Sequence, residues 1–506
     1  MDDNFGTRLR SRLAAAAVGL ALLPAAVVPG VGAAQAAGPA AGPAAGPLSD
    51  SFSGAWRDGN YVGASLWDVR NMIRMGWGAS AGLNGAGVGV ALIDTGVAPV
   101  PSLSASQVVN GPDLSFESQA PNLRYLDTYG HGTHMAGIII GNGTVDGHMG
   151  LARGAKLTSV KVGTANGTVD VSQVIAAIDW VVENKNHDPA NPIRVINLSY
   201  GSGGNPASAT DPLQFAVEQA WKAGIVVVAA AGNQARSLLS NPATDPFVLS
   251  VGAARTAGTL TNVDDTVSVF TNGRSAARSF DLVAPGEGIL SARVQGSNVD
   301  NAFPDARVDE TIFRGSGTSQ AAAVTSAAVA LLLQARPALT PDQVKRLLVS
   351  SGTPLSGADA ARRMINVNAA LAAPAPTGAQ AGTWSTGTGT LEAARGGGHV
   401  VHSGVTLSGE KTIFGAFDSR AWASRSAART AWTGGVWNGT RMAGDGWTGS
   451  SWASKTWAPA TWSGVAYSGG SWIDPNWQGR FWAGRFWAAG AWNSRFWAGS
   501  SWYSNL

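Results

Sequence analysis

Val90-Ala-Leu-Ile-Asp94-Thr-Gly96 is an apolar run that stops on a carboxylate and then a glycine. The run begins at Val88, and four of the same kind follow it: Leu157–Val162, Ile193–Leu198, Ile225–Ala230 and Phe247–Val251. Only Lys161 and Arg194 bring charge into them. Short, nearly continuous apolar runs suit strands buried on both faces of a parallel sheet. Between them lie amphipathic stretches of helical type, Val171–Asn184 and Leu213–Ala223. Thr340-Pro341-Asp342-Gln343 is a capping box with proline at the first helical position, which predicts a helix running to about Val349. This alternation predicts an α/β fold, doubly wound around a mostly parallel sheet, over residues 61–372.

Asp94 is one of three residues whose chemistry fits together. Tyr129-Gly-His131-Gly-Thr-His134-Met-Ala-Gly137 carries a histidine into a helix of small residues. Gly315-Ser-Gly-Thr318-Ser319-Gln-Ala321 places a serine after a glycine-rich turn, at the start of an apolar helix extending to Leu333. A serine hydroxyl is a poor nucleophile unless a base takes its proton, and that base needs a third group to fix its tautomer. Asp94, His131 and Ser319 supply the three types, each at a strand end or helix start, where sites form in open α/β sheets. Val226-Val-Val-Ala-Ala-Ala-Gly232-Asn233 is another strand ending in a short polar residue, whose amide can donate to an oxyanion. Taken singly, Asp94 reads as a strand-end cap, Ser319 as a helix N-cap and Asn233 as a turn residue. Their joint occurrence favours catalysis. His131 and His134 lack the intervening Glu of a zinc metalloprotease helix, and His134 reads as structural. Gly315-Ser-Gly317 hints at an esterase elbow, but the serine there would precede the acid and the histidine.

These motifs, in this order along about residues 80–370, resemble the subtilases, the subtilisin-like serine proteases. The resemblance implies a three-layer, doubly wound domain and a serine endopeptidase acting on proteins or peptides. In it Asp94 orients, His131 is general base and then acid, Ser319 is the nucleophile and Asn233 lines the oxyanion hole. It also implies that Asn197-Leu-Ser199-Tyr200-Gly201 is an edge strand pairing with substrate backbone, and that Ser240 borders the specificity pocket. Two positions depart from the family pattern: Ala323 and Arg153 stand where proline is usual. The loop Asn142–His148 matches a calcium loop of some subtilases in length. Its Asn142, Thr144 and Asp146 include one carboxylate, a thin ligand set for Ca²⁺, so calcium is an optional cofactor and none is required.

The ends of the chain are of other kinds. Arg8, Arg10 and Arg12 precede an apolar run from Leu13 to Val28, and Ala34-Gln35-Ala36 follows with small residues. That order predicts a secretory signal over residues 1–36, and the run is short of the ~20 residues a membrane span needs. Residues 37–60, rich in Ala, Gly and Pro, read as a linker or short pro-segment, and residues 373–383 as a second linker. Residues 384–420 read as a β-rich connector. In 421–506 tryptophan recurs every five residues from Trp422 to Trp502, with Ala427, Met442 and Tyr467 at the three skipped positions. A period of five fits neither helix nor strand, and a small solenoid-like repeat region suits it better.

Composition narrows the function classes. The 506 residues include no cysteine, which excludes thiol catalysis, Cys-ligated zinc, iron–sulfur clusters and disulfides. Charged residues are 13%, about half the ~25% usual in soluble domains, and hydrophobic residues are 45%. A wholly disordered chain is excluded by that balance. The formal net charge of +3 is too small to argue for nucleic acid. Seven basic and two acidic residues from 422 to 502 make the repeats +5, and the rest of the chain therefore −2. A basic, Trp-rich tail suits contact with wall glycans or an anionic membrane surface. The expectation is a secreted, monomeric serine endopeptidase with no nucleic-acid partner, associated with the cell surface through its tail. The opposing reading is a surface-binding protein whose protease domain is vestigial.

Overall fold

The computed structural model describes residues 63–439, with gaps at 120–122, 144–147, 204–208, 237, 274–277, 397–398, 403–404 and 434–435, and the strand pieces 56–57, 60–61 and 479–481. The signal segment, Thr144, Asp146 and most of the Trp repeats lie outside the described residues.

The strands that organise the fold are β1 (Gly89–Asp94), β2 (Val108–Asp113), β3 (Lys156–Lys161), β4 (Ile193–Leu198), β5 (Tyr200–Ser202), β6 (Val226–Ala230), β7 (Leu249–Arg255), β8 (Leu282–Pro285), β9 (Thr353–Pro354), β10 (Arg363–Met364) and β11 (Gly479–Phe481). The central sheet runs β9-β10-β8-β7-β6-β4-β1-β3-β2. All neighbours from β10 to β2 are parallel, and β9 pairs antiparallel with β10 at the rim. β1, β6 and β8 are buried at every position, as strands covered on both faces must be. The chain passes from β1 to β2 and β3 on one side, then returns to β4 on the other. The strand order therefore reverses at β1, and Asp94 closes β1 at that switch point.

The main helices are α1 (His131–Ile140), α2 (Val171–Asn184), α3 (Pro212–Lys222), α4 (Thr318–Ala335), α5 (Pro341–Ser351), α6 (Leu391–Arg395) and α7 (Ser419–Ala427). α4 is long and apolar enough to cross a membrane, yet it is the core helix, buried from Thr318 to Leu333 against β4, β6 and β7. It starts three residues before the expected Ala321, because Asn233 caps it. Ala323 is buried within this one continuous helix. α5 starts with the expected capping box, Thr340 accepting from the Gln343 N–H. β2 went unforeseen because Asn110-Gly-Pro-Asp113 reads as a turn; its register slips between Asn110 and Asp113.

The described residues from Leu391 to Trp437 pack onto the α2–α3 side of this domain. Residues 373–383 hold no helix or strand, but Arg336 and Gln343 grip them through the carbonyls of Ala373 and Pro376. Arg395 of α6 is buried and donates to Asp170, the N-cap of α2, at 2.7 Å. Trp422, Trp432 and Trp437 are buried as well. The indoles of Trp422 and Trp437 donate to one oxygen of Asp179 at 2.7 and 2.9 Å, and the Ser426 hydroxyl donates to the other at 2.6 Å. Trp432 donates to the Ala176 carbonyl at 2.8 Å. Phe414 and Phe417 fill the spaces between these rings. Burial raises the Asp179 carboxyl to about 6, against the pull of its three donors.

Candidate active site

β1 delivers Asp94 to the carboxyl edge of the sheet, and α1 begins there with His131. His131 Nδ1 lies 2.7 Å from Asp94 Oδ1, and both side chains are essentially buried, at 1% and 0% exposure. The same oxygen accepts the backbone N–H of Thr95 at 2.8 Å. α1 reaches this position because Gly132 has no side chain: a Cβ there would stand 2.1 Å from the Gly96 carbonyl oxygen.

A second layer fixes the first. Gly130, the N-cap of α1, has no side chain to satisfy the helix's orphan donors. Asp127 does so instead. Its carboxylate accepts from Gly130 N–H, Thr133 N–H and Thr133 Oγ1, each at 2.7 Å, and from Thr95 Oγ1 at 2.8 Å. Thr95 Oγ1 in turn accepts the Gly132 N–H at 2.9 Å. Burial raises the Asp127 carboxyl, and these donors pull against it. Lys161 is buried and donates to the Thr95 and Gly163 carbonyls at 2.7 and 2.9 Å, with Glu117 2.9 Å away as its counter-charge. Sequence reasoning passed over Asp127, Thr95 and Glu117. The signal for Asp127 was there, an acid three residues ahead of a glycine N-cap.

Ser319 comes from the other side. β1 and β6 are separated only by β4, so their ends lie ~10 Å apart. Beyond β6, Asn233 Oδ1 accepts from Thr318 N–H at 2.7 Å and Thr318 Oγ1 at 2.9 Å. Thr318 Oγ1 also accepts the Gly232 N–H at 3.1 Å. With its oxygen so committed, the Asn233 amide offers only its Nδ2 donors. Gly317 is needed for lack of room: a Cβ there would stand 3.0 Å from Asn233 Nδ2 and 2.8 Å from Gln320 Oε1. Ser319 follows in the first turn of α4, its Oγ buried and without a hydrogen-bond partner among the described residues. α1 and α4 pack against each other.

The remaining expected residues fall around this edge. Ser199 is buried and accepts from Asn197 Nδ2 at 3.1 Å, while Asn197 Oδ1 accepts from Ser326 of α4 at 2.9 Å. Tyr200 and Gly201 form β5, which continues from β4 past the sheet edge. Ser240 is buried beside Gly232, and its hydroxyl accepts from Asn272 at 3.2 Å. His134 is buried one turn after His131, and burial pushes its imidazole down to about 3. It is therefore neutral near pH 7. Asn142 donates to the Pro101 carbonyl at 2.8 Å.

The family model described as the subtilase family matches residues 85–369, more than half of the chain. The chain belongs to the subtilase family. This subtilase is 35% identical over 275 residues to the serine protease AprX of Bacillus subtilis (strain 168), covering 53% of this chain and 61% of that protein. It is 32% identical over 274 residues to subtilisin Savinase of Lederbergia lenta, covering 54% of this chain and 86% of that protein. Among solved structures, a cold adapted subtilisin-like serine proteinase is 29% identical, with a TM-score of 0.45, over 56% of this chain and 90% of that one. The chain spans less than two thirds of the length of the Bacillus subtilis relative.

Proposed function

We propose that this subtilase is a secreted serine endopeptidase that hydrolyses peptide bonds in proteins or peptides through an acyl-enzyme on Ser319. The observation that carries the reading is the buried Asp94–His131 pair, 2.7 Å apart at the point where the strand order reverses. Asp94 holds the proton on Nδ1, so base chemistry falls to Nε2. Ser319 Oγ attacks the scissile carbonyl carbon and passes its proton to that nitrogen. Asp94 remains ionised and stabilises the imidazolium. Asn233 Nδ2–H and the Ser319 backbone N–H receive the oxyanion. His131 then hands the proton to the departing amine as the C–N bond breaks. Water, deprotonated by His131, attacks the Ser319 ester, and the acid product leaves as Ser319 recovers its proton. Ser199, Tyr200 and Gly201 pair with the substrate backbone, and Ser240 borders the specificity pocket. This chemistry requires no cofactor, with calcium an optional one. Export follows from the basic, apolar and small-residue order at the N-terminus. The +5 repeats attach the monomeric enzyme to wall glycan or an anionic membrane surface.

Fluorophosphonate labelling of the full chain, read by intact mass, tests the reading. One adduct is expected on the wild type and none on Ser319→Ala, whose peptide hydrolysis falls about a million-fold. A folded wild type that takes no label would overturn it.

A further inference from the structure

β5 is the strand proposed to pair with substrate, and it already has a partner. β11, residues Gly479–Phe481 of the Trp-repeat tail, lies antiparallel to it, with Gly479 opposite Ser202, Arg480 opposite Gly201 and Phe481 opposite Tyr200. Ser202 spends its own backbone groups on Asn241, at 2.8 and 3.2 Å. Adjacent residues of an extended strand send their backbone groups to opposite edges, so those of Gly201 are directed to the edge where Arg480 stands. The direction of β11 also matters. It runs from Ser202 towards Tyr200, hence back towards Ser199 and the carboxyl edge that carries Asp94, His131, Asn233 and Ser319. A chain laid this way runs towards the candidate nucleophile.

The sequence offers this occupant more than once. Arg-Phe-Trp-Ala recurs at 480–483, 485–488 and 495–498. About 40 residues separate Asn438 from Gly479, a reach of more than 100 Å when extended, so length does not limit the contact.

We infer that the tail's Arg-Phe-Trp-Ala segments are tethered occupants of the substrate groove, added as a strand to β5 in cis and competing with substrates for it. The inference rests on the peptidase reading above and names its regulation. Strand addition needs the occupant's backbone N–H groups, and proline removes one while breaking the ladder. A tether of this length holds its segment at an effective concentration on the order of 1 mM. Against a peptide affinity of about 0.1 mM, within the usual range for a protease substrate, that amounts to about tenfold competition.

The test uses the full chain carrying Ser319→Ala, so that the tail cannot be consumed. The probe is a fluorescein-labelled Arg-Phe-Trp-Ala peptide, followed by anisotropy. A second form also carries Arg480→Pro, Arg485→Pro and Arg495→Pro, since Arg480 is the residue whose N–H faces Gly201. The expected result is a Kd about tenfold lower on the triple-proline form. Equal Kd values, or no binding to either, would overturn the inference. Fluorophosphonate labelling of the Ser319 chain with and without the three prolines separates this failure from that of the reading beneath it. Label on the chain without the prolines keeps the catalytic reading, and no label on it removes both.

Discussion

Two buried aspartates in this molecule have opposite partners. Asp94 and Asp179 are both shut away from water, and both accept short hydrogen bonds from ring N–H groups. The ring on Asp94 is an imidazole, which can take up a positive charge. The rings on Asp179 are indoles, which can only donate, joined by one hydroxyl. Asp94 therefore sits beside a group whose charge can appear and vanish during a reaction, and its carboxylate is best satisfied when that charge is present. Asp179 is a fixed acceptor with no chargeable donor, and burial drives it up to about 6. The identity of the donor, rather than burial, separates the two carboxylates: one faces a group that can become charged and the other does not.

The comparison can be broken most sharply at Asp94. Asp94→Asn should lower kcat by about 10⁴-fold through loss of the correct imidazole tautomer, with a urea midpoint close to wild type. A loss of stability larger than the loss of rate would make Asp94 a clamp after all. Asp179→Ala should do the reverse. It strands two indole N–H groups and a hydroxyl in an apolar cluster, at about 1–3 kcal/mol for each unsatisfied group, and leaves kcat per folded molecule within about twofold. Urea unfolding with activity normalised to the folded fraction reads both quantities.

The smallest expected effect is a pH dependence. A carboxyl raised in the folded state binds its proton more tightly there than in the unfolded chain. The stability Asp179 lends is thus complete below its unfolded value of 3.8 and declines as pH rises through about 6. The amide introduced by Asp179→Asn does not titrate. The stability difference between wild type and Asp179→Asn should therefore narrow from pH 4 to pH 7, by up to about 3 kcal/mol. A difference that widens over that range would reverse the assignment. His134 works in the other direction in both proteins. Pushed down to about 3, it withdraws stability as pH falls below 6.5, and the subtraction cancels it.

The sequence made some of this legible and hid the rest for physical reasons. Ile193–Leu198 and Val171–Asn184 fall where periodicity puts them, because burial on two faces or on one stripe leaves a direct mark on residue choice. The closeness of Asp94 to His131, and of Asn233 to the start of α4, follows from motifs placed at strand ends and helix starts. β2 was not, since Gly111 and Pro112 give a turn signal that sheet pairing overrides. The support under His131 was hidden for another reason. Asp127, Thr95, Lys161 and Glu117 are far apart in sequence, and each alone looks like an ordinary polar loop or strand-end residue. Asp179 sits inside Ile178-Asp-Trp180, where a polar residue in an apolar helix marks a partner without naming it. The pentad spacing declared a repeat, but not that its first tryptophans would be spent against α2.

The clamp on α2 also sets where this protein can be cut and recombined. A gene fusion that ended at Ala372 would carry α2 without the indoles, the hydroxyl and the Arg395 guanidinium that cover its acidic side. It would place two carboxylates and an apolar helix face in contact with solvent. The transferable cassette therefore has to reach at least Trp437, whose indole is the later of the two that donate to Asp179.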